Sequence, residues 1–226
     1  MTLRRCSRSR SAKEVGTPTD VVIARHAETN YNAEGRISSD PADAACVLSP
    51  VGEQQAAALA RELAPERFDL CVTSQLLRAR QTAAPILRRQ RTRLLELHDF
   101  NDVNAGVFDG GSSAAYVDWL ATAGAMGSVA PPDGESLRDA VVRYMHGLDW
   151  LVSRPERKLL VVTHALPLAL VLHARTATEP PPPDLLVGLF AQRAGSYGVT
   201  ETVAHATPYR FAAADLRRAR DYWAAT

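Results

Sequence analysis

Two histidines stand in the same structural place. His26 follows the apolar run Val21–Ala24 and Arg25, and His164 follows the run Leu159–Thr163. Each run is short, continuous and closed by polar residues, the pattern of a strand buried on both faces of a parallel sheet. Ligands of open α/β sheets bind beyond the carboxyl ends of the strands. If these two strands are neighbours, both imidazoles lie on one rim and face one crevice. A neutral imidazole placed there carries a lone pair able to attack an electrophile near pH 7. On spacing alone the pair reads equally as catalytic or as structural.

The elements that must position them follow from pattern. A polar stretch from Arg25 to Cys46 reads as a long loop. Ser49-Pro50 supplies an N-cap and a proline at the first helical position, and the alanine-rich run Val51–Leu63 is a helix. Asp69–Thr73 reads as a second strand. Ser74 is placed to cap a helix over Gln75–Arg89, which Pro85 is expected to kink or shorten. Thr92–Leu97 is a third strand. His98–Pro132 is irregular, with one helix near Ala114–Thr122. Asp133-Gly134-Glu135-Ser136 introduces a helix over Leu137–Val152, whose apolar residues Leu137, Val141, Met145, Leu148 and Val152 form one buried stripe. A helix over Pro167–Ala174 follows the His164 strand. Pro180–Pro183 is a stiff extended connection, and Tyr197–Val203 and Tyr209–Ala212 are strand-like. No internal repeat is visible. Strands alternating with helices predict a three-layer α/β/α sandwich around a mostly parallel sheet.

The 226 residues suit one large α/β domain over residues 21–226, and 46% hydrophobic with 23% charged residues can bury a core. No apolar run approaches the roughly 18 residues of a membrane-spanning helix. A formal net charge of +1 gives no field toward nucleic acid or anionic lipid. Three cysteines at unrelated spacings (Cys6, Cys46 and Cys71) suggest neither a disulfide framework nor a zinc site, which fits a reducing, cytoplasmic setting. Residues 1–20 read as a short disordered basic tail, because no apolar region follows Arg4-Arg5 to make an export signal. Nothing in the sequence indicates an oligomeric state.

Arg25-His26-Ala27-Glu28-Thr29-Asn30-Tyr31-Asn32 resembles the RHGE[TS]xxN signature of the histidine phosphatase superfamily, whose branches include cofactor-dependent phosphoglycerate mutases. Three further blocks follow in the family's order. Ser74–Ala83 is similar to its SxLxRAxQTA segment, Gly134-Glu135-Ser136 to its GES segment, and Val161–Ala165 to the strand carrying its second histidine. The likeness extends over roughly Val21–Leu216 and implies a phosphoglycerate mutase-like fold.

The resemblance also assigns chemistry. A phosphomonoester is a doubly charged electrophile, so a site must neutralise it and present a nucleophile. His26 is then the nucleophile that becomes phosphohistidine. Arg25 and Arg78 hold the phosphoryl oxygens in planar contacts, and His164, protonated, donates to the same group. Asn32 adds a neutral hydrogen bond. No metal or other cofactor is implied, and the partner is a small phosphorylated molecule. The family's acid/base glutamate lies in a segment resembling E-x-x-x-G-x-x-[ED]-G, which Asp102–Gly110 matches with aspartate in place of glutamate. Asp102 is the candidate, with Glu96, Asp99 and Asp109 as alternatives. Glu135 reads as a helix N-terminal carboxylate, with a direct substrate role as the alternative.

Two departures stand out: aspartate at 102, and Ala27 where the family has glycine. The alanine adds a methyl group and demands a negative φ. Gly35–Asp40 lacks the tryptophan of the mutases, and His98–Pro132 carries no lysine or arginine. This favours a phosphatase over a mutase, and over a noncatalytic domain that only binds a phosphorylated ligand. His98, His146, His173 and His205 match no motif and read as ordinary surface or core residues. Tyr116, Trp119 and Met126 read as core, with a pocket wall as the alternative.

Overall fold

Alternate residues of each strand face opposite ways, and here both faces are apolar. Val21, Ile23, Leu70, Val72, Leu159 and Val161 belong to one buried cluster. Val22, Ala24, Cys71, Leu160 and Val162 belong to another. A sheet with a core on each side must be the middle of three layers. The computed structural model, which describes residues 20–182, 184–191 and 202–224, has that arrangement. Strands β1 (Asp20–Arg25), β2 (Leu70–Thr73), β3 (Arg93–Glu96), β4 (Lys158–Thr163) and β5 (Pro208–Phe211) form a five-stranded sheet in the order β3-β2-β4-β1-β5. All pairings are parallel except β1 with β5. Helices α2 (Pro50–Glu62) and α3 (Leu77–Gln90) pack on the Val22 face. Helices α5 (Leu137–Val152), α6 (Ala165–Thr176) and α8 (Ala213–Ala224) cover the other.

Local signals set several boundaries. Ser49 caps α2 through Gly52 N with Pro50 in the first turn, and Ser136 caps α5 through Asp139 N. Helix α4 (Ser113–Ala121) is the one expected within the irregular region, capped by Ser112. Other expectations are corrected. The Arg25–Cys46 loop contains a short helix, α1 (Asn30–Glu34), opened by a capping box between Thr29 and Asn32. Helix α3 is neither capped by Ser74 nor shortened by Pro85. It starts from Leu76 and runs to Gln90, because Ala79, Ala83 and Ile86 bury one face and outweigh the single hydrogen bond a proline removes. Helices α7 (Leu185–Ala191) and α8 were not anticipated. Asp20, counted with the tail, opens β1. The rest of the tail, and residues 197–201 of the expected strand, lie outside the described residues, while Thr202 and Val203 are irregular.

One close approach ties the second layer to the rim of the sheet. Gly52, in the first turn of α2, lies against the backbone of Glu28, where a Cβ would overlap the carbonyl oxygen. Ser49 N and Oγ also bond to the Glu28 carbonyl (3.0 Å) and carboxylate (2.7 Å). Gly52→Ala is therefore expected to lower stability by about 1–3 kcal/mol, read as a fall in the urea midpoint. An unchanged midpoint would show that the α2–Glu28 contact carries no constraint.

Candidate functional site

The register of β1 on β4 pairs Arg25 with Thr163. The next residue on each strand is a histidine, and His26 N donates to Thr163 O at 2.8 Å. Their ring centroids lie 5.1 Å apart, and both side chains are buried. His26 Nδ1–H donates to Ala27 O at 2.8 Å, which leaves Nε2 as the free lone pair. Strand β2 pairs with β4 on its other side, so Ser74 arrives beside the second histidine, where Oγ is 2.8 Å from His164 Nε2. A guanidinium only donates, so the 3.1 Å contact with Arg78 Nη2 makes His164 Nδ1 the acceptor. The His164 proton then sits on Nε2, toward Ser74. Ser74 was expected to cap a helix; it instead orients His164.

Arg78 is in the first turn of α3. Thr82, one turn on, donates to Arg78 O (2.7 Å) and accepts from Ala27 N (2.9 Å), which locks that turn to the His26 loop. Arg78 Nη2 also bonds Asp102 Oδ2 at 2.9 Å. Asp102 Oδ2 is 3.4 Å from His164 Nδ1, so one carboxylate faces both the second arginine and the second histidine. Arg25 is anchored by Nη1 to Val203 O at 2.9 Å. Asn32 spends its Oδ1 on Thr29 N, so only its amide NH2 remains to face the pocket. Ala27 is fully buried and is absent from the positions of positive φ, so the missing glycine is accommodated without strain.

Arg25, His26, Asn32, Arg78 and Asp102 line one cavity of about 310 Å³, and His164 lies behind Arg78 and Asp102. The alternative acids are engaged elsewhere. Asp109 Oδ1 accepts from Ser39 N (2.5 Å) and Oγ (2.8 Å). Glu96 pairs with Arg80 at 3.0 Å, and Asp99 is not among the cavity's lining residues. Glu135 holds Arg143 and the amide of Asn104 rather than facing the cavity. Tyr116 is in the core, with Trp119 and Met126 packed against it. Among the described residues, no group of three His, Cys, Asp or Glu side chains could hold a metal ion.

Two residues that border the site escaped the sequence reading. Arg143 on α5 donates to the carbonyls of His98, Asp99, Asn101 and Asp102, and so shapes the loop that presents Asp102. His205 pairs in β-bridge fashion with Arg25, and its ring is 5.6 Å from that of His26. Neither has a local signal, because a lone arginine on a helix and a lone histidine before an edge strand read as surface residues.

Burial, then the charges of Arg78, His164 and Arg25, push the His26 imidazole well below its ordinary range. Burial and the guanidiniums of Arg78, Arg25 and Arg143 do the same to His164. His205 is lowered to about 4 by burial and Arg25. Burial lowers Arg25 to about 10, so it remains charged at neutral pH. Burial and the fixed guanidiniums thus disfavour the expected charge on His164 in the free site. The site joins two buried neutral imidazoles to two cations and one carboxylate, an arrangement complementary to a compact anion.

The model of the histidine phosphatase superfamily (branch 1) matches residues 21–186, and the chain belongs to that family. A 2,3-bisphosphoglycerate-dependent phosphoglycerate mutase from a Methylobacterium species is 31% identical over 188 residues, covering 75% of this chain and 88% of the mutase. A glucosyl-3-phosphoglycerate phosphatase from Mycolicibacterium vanbaalenii is 31% identical, covering 64% of this chain and 68% of its own. A wheat 2-carboxy-D-arabinitol-1-phosphatase is 38% identical over 92 residues, covering 40% of this chain; the match spans only 18% of the wheat protein. The fold is similar to that of Bacillus stearothermophilus YhfR, with a TM-score of 0.67, 22% identity, and coverage of 85% and 90% of the two chains.

The depressed histidines link stability to pH. Each ring is held neutral in the folded protein but takes a proton near pH 6.5 when unfolded. The unfolded chain therefore binds more protons as pH falls, and the stability associated with these rings is complete above about pH 6.5 and lost below it. The urea midpoint is expected to drop between about pH 7.5 and 5, and His164→Gln to flatten that drop. A pH-independent midpoint in the parent protein would show that the rings are not held neutral by the fold.

Proposed function

We propose that the chain is a phosphomonoesterase acting on a small phosphorylated metabolite through a phosphohistidine on His26. The observation that carries this reading is the placement of His26: Nδ1 is tied to a backbone carbonyl, Nε2 is free, and Arg25, Arg78 and Asp102 surround one cavity.

Arg25 and Arg78 hold the phosphoryl oxygens, and Asn32 adds its amide N–H. His164 acts from behind Arg78: its Nδ1 accepts from Nη2 and orients that guanidinium toward the phosphoryl group. His26 Nε2 bonds to phosphorus, the ester P–O bond breaks, and the proton of the monoanionic ester passes through the Asp102 carboxylate to the departing alkoxide. The same carboxylate then takes a proton from water. The water oxygen bonds to phosphorus, the N–P bond breaks, and phosphate leaves with that proton, which restores His26 and the Asp102 carboxylate. Fixed donors and cations supply the stabilisation.

The mutase reading is favoured by the Methylobacterium relative, which the chain nearly spans. Against it stand the absence of lysine and arginine from residues 98–132 and of tryptophan from residues 35–40. The reducing, cytoplasmic setting is supported by two buried free thiols, Cys46 and Cys71; burial pushes the Cys71 thiol up to about 12.

His26→Ala is expected to abolish turnover and acid-labile labelling by a phosphoryl donor; retained activity would remove His26 as nucleophile. In the parent protein the label is expected to pass to water faster than to 3-phosphoglycerate, and the reverse order would establish a mutase. Asp102→Asn is expected to slow alkyl phosphates about 10²–10⁴-fold and activated aryl phosphates far less. Equal losses on both classes would assign the acid elsewhere.

A further inference from the structure

The sheet order β4-β1-β5 puts a neighbour on each side of the strand that leads to His26. On the β4 side, Arg25 stands opposite Thr163, and the His164 ring lies 5.1 Å from that of His26. On the β5 side, Arg25 pairs with His205, whose ring lies 5.6 Å from that of His26 at an interplanar angle of 53°. Centroids this close put the rings in contact. The attacking imidazole is thus flanked by two others, each delivered by a different part of the chain. His164 is engaged with Ser74 and Arg78. The mechanism gives His205 no task.

The segment that brings His205 is itself fixed to β1. Val203 O accepts from Arg25 Nη1 at 2.9 Å, and Ala206 N donates to Arg25 O at 3.0 Å. Ala206 packs against the smaller core cluster and holds a φ of 46°, a left-handed conformation that alanine rarely adopts. Such a conformation persists where its surroundings hold it, and here it directly follows the residue whose ring meets the nucleophile. Burial and the Arg25 guanidinium keep the His205 ring uncharged at neutral pH. Its Nε2 is buried and makes no hydrogen bond among the described residues. On that edge the ring offers surface rather than a bond.

His26 needs such a surface. The hydrogen bond from Nδ1 to Ala27 O fixes one atom of the ring. A single bond is a pivot, and rotation about it swings Nε2 off the line to phosphorus. Packing on both flanks removes that freedom. Resting on the phosphomonoesterase reading, we infer that His205 is a positioning residue for the nucleophile: its ring closes the β5 flank of His26 and keeps Nε2 aimed into the cavity. It acts through His26 alone, so its effect falls on phosphoryl transfer and not on phosphate binding.

The test compares His205→Ala, His205→Gln and His205→Phe. Alanine removes the ring, glutamine offers a flexible polar chain in its place, and phenylalanine restores a flat ring without nitrogen. The expected result is a fall in kcat of about 10- to 100-fold for the alanine and glutamine variants, the cost of a misplaced reacting atom. KM and the inhibition constant of inorganic phosphate are expected to stay within about twofold, and the phenylalanine variant to recover kcat to within about threefold, because binding and ring contact are kept. Imidazole nitrogen NMR spectra are expected to show His26 protonated at Nδ1 in the parent and the phenylalanine variant, and mixed tautomers in the other two. If His205→Ala does not fold, glutamine against phenylalanine gives the same reading. An unchanged kcat in His205→Gln, a His205→Phe as slow as His205→Gln, or a loss of phosphate affinity equal to the loss of kcat would overturn the positioning role while leaving the phosphomonoesterase standing. No hydrolysis and no acid-labile label in the parent protein would overturn the phosphomonoesterase. The spectra then decide on His205 by themselves, and a His26 tautomer unchanged in His205→Gln would overturn its role as well.

Discussion

The site depends on one pairing, the parallel ladder between β1 and β4. Because Arg25 sits opposite Thr163, the chains leave the sheet side by side and each places a histidine at the next position. A shift of one residue would turn one imidazole toward a layer of helices instead of the rim. Both faces of each strand are buried in apolar clusters, so the register is strongly specified by packing. Precision at the two rings is thus inherited from the two cores.

That placement has an electrostatic consequence. Two imidazoles and two guanidiniums share a buried region, and each cation opposes protonation of its neighbours. Asp102 offsets part of this by pairing with Arg78 at 2.9 Å. The remaining imbalance is what an anion relieves. Burial and the same guanidiniums lower both imidazoles, which leaves a free lone pair on His26 and an acceptor for Arg78 on His164.

Around this centre the loops are fixed mainly through backbone groups. Arg143 gathers four carbonyls of the segment that carries Asp102. Gln75 and Asn101 exchange hydrogen bonds between that segment and the entry to α3 (2.8 and 3.1 Å). Arg36 Nε and the Ile37 amide and carbonyl bond to Gly110 and Gly111, which joins the first loop to the acid loop. Rigid mounting holds the Asp102 carboxyl at one place on the cavity wall.

Much of this was legible in the residues themselves. Buried strands show as unbroken apolar runs, α5 shows as a stripe with a serine before it, and the four sequence blocks placed His26, Arg25, Arg78, Asn32 and His164 in order. These are local signals, since period, cap and motif depend on neighbours in the chain. What remained hidden was decided by partners distant in sequence. Ser74 looks like a cap until β2 and β4 pair and bring it to His164. Arg143 looks like a surface cation until α5 packs beneath the Asp102 segment. His205 looks ordinary until the chain returns beside Arg25. Even the surroundings of the several carboxylates required the fold, because only the fold shows Asp102 on the cavity, Asp109 held by Ser39 and Glu96 held by Arg80. Residue order thus determines which chemical groups exist and which strands and helices carry them. Tertiary packing alone determines which of those groups lose water together, and loss of water is what sets their charge.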